Sequence, residues 1–153
     1  MNLGEALLEL KGMKSELVRL MEARETTFAY SEEPPVEKTT GLSGQIAILV
    51  QEIRKLKMRV ERTNHSSFID TPEGKMAIAE AIISIGDMRS ELASLEKLRD
   101  KFREERDSWH EQKPKKFQAG QKELLAQIRE LEKQKVRMDS FLSSWNWKVE
   151  LKD

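Results

Sequence analysis

Along most of the chain the apolar positions recur in steps of three and four, the mark of helices with one buried stripe. The longest such stretch runs from Met76 to His110. Ile78, Ala81, Ile85, Met88, Leu92, Leu95, Phe102 and Trp109 hold one register there, with only Arg99 and Arg106 interrupting it. The spacing predicts a helix over about 73–112, roughly 50 Å long at ~1.5 Å per residue, carrying a seam for a partner helix.

Three further helices are expected. The first spans about 3–29: Asn2 is a good N-cap with Glu5 three residues on, and Leu3, Leu7, Leu10, Leu17, Met21 and Phe28 make a stripe interrupted by Lys14 and Arg24. The second, about 42–65, has the cleanest seam, namely Leu42, Ile46, Leu49, Ile53, Leu56, Val60 and Thr63. The fourth, about 117–147, runs through Phe117, Leu124, Ile128, Leu131, Met138, Leu142 and Trp145, with Gln121 and Lys135 as polar members. Between the helices, Pro34 and Pro35 force an extended acidic linker, and Asp70 to Gly74 reads as a turn with Thr71 capping the third helix and Pro72 at its first position. Lys113 to Lys116, around Pro114, separates the third helix from the fourth.

The fold class expected is therefore all-α: a single domain, 1–153, with an antiparallel four-helix arrangement and a long protruding coiled-coil hairpin made by helices three and four. Counting residues from each turn brings the start of helix one, the end of helix two, the start of helix three and the end of helix four to one pole. The same count leaves an arm from about Arg99 to Glu130 without opposite numbers. Phe102, Trp109, Phe117, Leu124 and Ile128 on that arm are the expected interface of a homo-oligomer.

Composition narrows the chemistry. The 27 basic and 27 acidic side chains cancel, so no global field draws the protein to nucleic acid or an anionic membrane. The lack of cysteine excludes disulfides, a thiolate nucleophile and a cysteine-ligated zinc. MNLGEALLELKG carries Glu5 and Glu9 within its apolar stretch, unlike a secretory signal, and the uncharged apolar runs are too short to span a bilayer. The expected setting is cytoplasmic.

Candidate sites are few. Lys55, Arg59 and Arg62 share a helix face but lack interleaved aromatic rings for bases, which favours an ion-paired surface over nucleic-acid binding. Glu61 and His65 lie four apart without the second glutamate–histidine pair of a di-iron bundle, so no metal or other cofactor is expected. No Gly-rich phosphate loop, nucleophile elbow or kinase signature occurs, and enzymatic machinery is not evident. Trp145 and Trp147 flank Asn146 near the end of the chain, where two indoles imply a lid over a helix pole or the wall of a pocket.

Leu3-Gly4-Glu5-Ala6-Leu7, Arg62-Thr63-Asn64 and Asn146-Trp147 together resemble the pattern of the septicolysin-like proteins, a bacterial family mostly of unknown function. The chain departs from that pattern at Leu10 and Gly12, where a basic and an acidic residue are common. The resemblance implies an all-helical cytoplasmic protein, and the family's name implies a pore-forming or haemolytic activity. All three motifs fall on the pole counted above, which makes Glu5, Arg62, Thr63, Asn64, Asn146 and Trp147 a candidate polar cluster, with Glu5 and Arg62 as a charge-assisted pair. The leading expectation is a non-enzymatic helical scaffold or protein-interaction module that self-associates. The alternative is a small-ligand or enzymatic site at Glu5, Arg62, Asn64 and Trp147.

Overall fold

The computed structural model describes residues 1–108 and 113–153. The chain is mostly helical with one small antiparallel sheet: α1 (Leu3–Phe28), α2 (Thr39–Ser66), β1 (Phe68–Thr71), β2 (Gly74–Ala77), α3 (Ile78–Asp107) and α4 (Gln121–Asn146). It divides into two compact units, Met1–Ser67 with Trp145–Asp153, and Phe68–Ser144.

In the first unit, α1 opens with the expected capping box. Asn2 Oδ1 accepts from the Glu5 amide at 2.8 Å, and the Glu5 carboxylate accepts from the Asn2 amide at 2.8 Å. The helix packs against α2 through buried Leu20, Leu42 and Ile46, flanked by Leu17, Ala23, Leu49 and Val50. On α2 every expected seam residue is buried except Leu49, which is half-buried. On α1 Leu3, Ala6, Leu10, Met13, Leu17, Leu20, Arg24 and Thr27, a three-four alternation, are buried or half-buried, with Gly4 and Ala23 beside them. Leu7, Met21 and Phe28, expected in the stripe, are exposed. The expected stripe mixed two parallel seams, because α1 carries apolar residues on both.

The second unit contains what the helical reading missed. Residues 68–77 form a β-hairpin, with Ile69 paired to Met76 and Asp70 to Lys75 across a two-residue turn, Pro72-Glu73. Ile69 and Met76 are buried on one face while Phe68, Asp70 and Lys75 are exposed, the period-two pattern of a half-buried ribbon. Thr71 Oγ1 donates to the Gly74 carbonyl at 2.7 Å and accepts from the Glu73 amide at 3.2 Å, so this residue closes a turn instead of capping a helix. Gly74 has φ +120°, a conformation that only glycine adopts readily. The helix expected from 73 therefore begins at Ile78, and all-α is corrected to helical with a two-stranded sheet.

Along α3 the seam is as expected: Ile78, Ala81, Ile85, Met88 and Leu95 are buried, and Leu92 and Phe102 half-buried. Leu95 packs with Leu124 and Ile128 of α4, and the Phe102 and Phe117 rings stack with centroids 4.2 Å apart. Phe117 lies outside the helix: α4 starts at Gln121 and not at 117, its first helical bond running from the Leu124 amide to the Gly120 carbonyl. Farther along, Asp139 of α4 accepts from Lys135 at 2.8 Å and lies 3.6 Å from Arg89 of α3. Trp109 and His110 lie outside the described residues.

Candidate functional site

The six residues of the expected polar cluster all belong to the first unit, and an extended segment after α4 organises them. Beyond Asn146 the amides of Lys148 and Val149 turn back onto the Trp145 carbonyl at 2.9 and 3.0 Å, and the chain then runs antiparallel to its own beginning. The Leu3 amide donates to the Val149 carbonyl at 2.8 Å, and the Leu151 amide to the Met1 carbonyl at 2.9 Å, with Asn2 and Glu150 bridged between them. The orphan amide of the first turn of α1 thereby gains a backbone acceptor.

Thr63 is the pivot. Fully buried on α2, its hydroxyl donates to the Arg59 carbonyl at 2.8 Å and accepts from the Lys152 amide at 2.9 Å. Lys152 Nζ continues to the Ser66 carbonyl at 2.8 Å and the Ser66 hydroxyl at 3.0 Å, while Arg59 Nη2 meets the exposed Asp153 carboxylate at 2.8 Å. Trp147 lies over Gly4, where an added Cβ would come within 2.9 Å of the indole Cδ2. Only glycine lets the ring approach so closely at that position.

Glu5, Thr63 and Trp147 of the expected cluster each engage residues outside it. Thr63 and Asn64 are buried, Asn146 is half-buried as the last residue of α4, and Trp147 covers Gly4. Arg62 and Glu5 are exposed, and among the described residues they form no ion pair with each other. Glu5 is instead committed to the Asn2 amide. The cations that engage the tail are Arg59, ion-paired with Asp153, and the Met1 ammonium, 3.4 Å from Glu150. The tail itself was missed by sequence reasoning. Its signal was the alternation Val149-Glu150-Leu151-Lys152, in which the apolar members are half-buried and the charged members exposed.

Chemically, this arrangement joins backbone groups. Its hydroxyl and carboxylate are already satisfied by amides, which suits a clamp better than acid–base work. Glu61 and His65 are both exposed, and among the described residues no group of three or more acidic or histidine side chains is placed to hold a metal.

Of the five residues expected as an oligomer interface, Leu124 and Ile128 are buried beside Leu95. Phe102 is half-buried and Phe117 exposed in their mutual stack, and Trp109 is outside the described residues.

A model for a family of unknown function, DUF6847, matches residues 10–151. A crystal structure described as a functionally unknown conserved protein from Corynebacterium diphtheriae is similar in fold, with a TM-score of 0.88 at 18% identity over 99% of both chains. No curated protein matches the sequence. These findings overturn the septicolysin-like resemblance, which rested on three short motifs, and the pore-forming reading drawn from that family's name falls with it. Among the described residues no helix is long and apolar enough to cross a membrane.

Proposed function

Because the chain belongs to the DUF6847 family, to which no function is assigned, we propose from its own surface that it is a non-enzymatic helical module that pairs with a second copy of itself through the outer seam of α1. Its setting in this reading is the cytoplasm, in keeping with the absence of cysteine.

The observation that carries the reading is a second three-four alternation on α1, beside the buried one: Leu7, Lys11, Lys14, Val18, Met21, Glu25 and Phe28. Every member is exposed, Phe28 by 75% and Val18 by 54%. Two shallow clefts follow this line. One, about 330 Å³, is bounded by Leu7, Lys11 and Val18, and the other, about 530 Å³, by Met21, Glu25 and Phe28. Such a row, with Leu7, Val18, Met21 and Phe28 as its apolar members, is what a partner helix covers.

Charge order selects the partner. The seam is cationic in its first half and anionic in its second, so a two-fold antiparallel pairing about Val18 sets Leu7 opposite Phe28 and Lys11 opposite Glu25 of the other copy. A parallel pairing would face Lys11 and Lys14 with their own counterparts, which is repulsive. The arm of α3 and α4 is the second reading, favoured by exposed apolar surface at Leu98 and Phe117.

Sedimentation velocity tests the choice. The expected result is a dimer at micromolar concentration that Val18→Glu converts to monomer and Phe117→Glu leaves intact. Lys11→Glu or Glu25→Lys alone weakens the dimer, and the double exchange restores it. A monomeric parent refutes self-association, while a dimer broken only by Phe117→Glu moves the interface to the arm.

A further inference from the structure

Arg99 and Arg106, the two charges that interrupt the α3 seam, stand with Arg103 at four-three spacing on one helix face. Together with Phe102 and Gln121, they line a cleft of about 260 Å³ within the second unit, and among the described residues no acidic side chain is in its walls. Two nearby acids have other partners: Glu104 accepts from Lys101 Nζ at 3.2 Å, and Glu105 Oε1 from the Lys115 amide at 2.8 Å, while Glu105 Oε2 is buried with no partner among the described residues. Among the described residues Arg99 and Arg103 form no ion pair, and Arg106 reaches only Asp107, at 3.8 Å through Nε.

Arg99 Nε is moreover buried without a hydrogen-bond partner among the described residues. A buried, unpaired guanidinium N–H is costly, and placing three cations around one recess adds mutual repulsion. A seam built for packing alone would be served by leucine at 99 and 106. What offsets both costs is an anion with several acceptor oxygens, and the planar guanidinium fork matches phosphate oxygens two at a time. Gln121 adds an amide donor from the first residue of α4, whose first-turn N–H groups have no acceptor within the helix.

We propose that this cleft binds the phosphate group of a small phosphorylated molecule, with Arg99, Arg103 and Arg106 as its cationic walls and Gln121 as a further donor. The Phe102 ring, fixed by its stack on Phe117, forms the apolar wall against which a short carbon skeleton rests. The volume admits a phosphate with a few attached carbons. Neither the α1 seam nor a dimer is needed for this site.

Isothermal titration of the full chain at low ionic strength provides the test, with inorganic phosphate, glycerol 3-phosphate and glycerol as probes. Both phosphates are expected to bind, the ester more tightly, and glycerol not at all. Arg99→Gln and Arg103→Gln should each weaken glycerol 3-phosphate by roughly 10-fold or more, as loss of a charge-assisted hydrogen bond implies. Arg99→Lys, which keeps the charge without the fork, should fall between. Lys122→Gln, outside the cleft, should change affinity less than about two-fold, and circular dichroism of each variant checks its fold. Absence of phosphate binding by the parent, or equal weakening by Lys122→Gln and the arginine variants, overturns the proposal.

Discussion

Thr63 and Lys152 stand 89 positions apart in the chain, yet the Lys152 amide donates to the Thr63 hydroxyl at 2.9 Å. The same hydroxyl donates to the Arg59 carbonyl, so a single buried oxygen joins the tail to the last turns of α2. Thr63→Val keeps the side-chain shape and removes both bonds, leaving a backbone amide without its acceptor. The expected loss is about 1–3 kcal/mol in urea unfolding, and Thr63→Ser should recover most of it. Hydrogen exchange at the Lys152 amide should accelerate in the valine variant alone.

Gly4 and Trp147 form a steric pair. Alanine is the better helix former by about 1 kcal/mol, but a Cβ at position 4 meets the indole at 2.9 Å. Gly4→Ala is therefore expected to be neutral or destabilising in the parent, and stabilising by about 0.5–1 kcal/mol in a Trp147→Ala background. Additive thermal melts across the four proteins would remove this contact as the reason for glycine.

At Gly74, φ +120° makes any side chain strained even though the space around it is open. Gly74→Ala should cost about 1–3 kcal/mol by thermal melt, through the turn of the β-hairpin. The neighbouring exposed change Lys75→Ala should stay within about 0.5 kcal/mol of the parent.

Arg62 offers a contrast with Thr63. Its side chain is exposed and pairs with none of the described acids, so Arg62→Ala should shift unfolding by less than about 0.5 kcal/mol. Ile128→Ala, emptying a site buried beside Leu95 and Leu124, should cost about 2–5 kcal/mol. A melt in which Arg62→Ala rivals Ile128→Ala would contradict the burial described.

The helices were legible because their seams are long: one misplaced residue in α2 or α3 does not disturb the six or seven others in register. The hairpin at 68–77 was not, since its four-residue strands give alternation too little length to stand out, and Thr71-Pro72 fits a helix start as well as a two-residue turn. On α1 the periodicity was visible but its phase was not. Leu3 and Leu10 belong to one seam, and Leu7, Met21 and Phe28 to the next, and only packing against Leu42 and Ile46 separates them. The polar cluster was legible as a meeting of chain ends. Its bonding was not, because the Thr63 hydroxyl is satisfied by backbone groups whose positions no side-chain pattern encodes.

The ribbon between Leu3 and Val149 also bears on the order in which the molecule assembles. Its two strands are separated by almost the whole chain, so their meeting must wait for a loop closure that the hairpins at 68–77 and between α3 and α4 do not need. These contacts are expected to form on the native side of the folding barrier. Trimming Leu3 to alanine should then leave the refolding rate nearly unchanged and accelerate unfolding, whereas trimming Leu95 or Ile128 should slow refolding. With that outcome the tail is a latch set last, on which the lifetime of the folded protein depends more than its rate of formation.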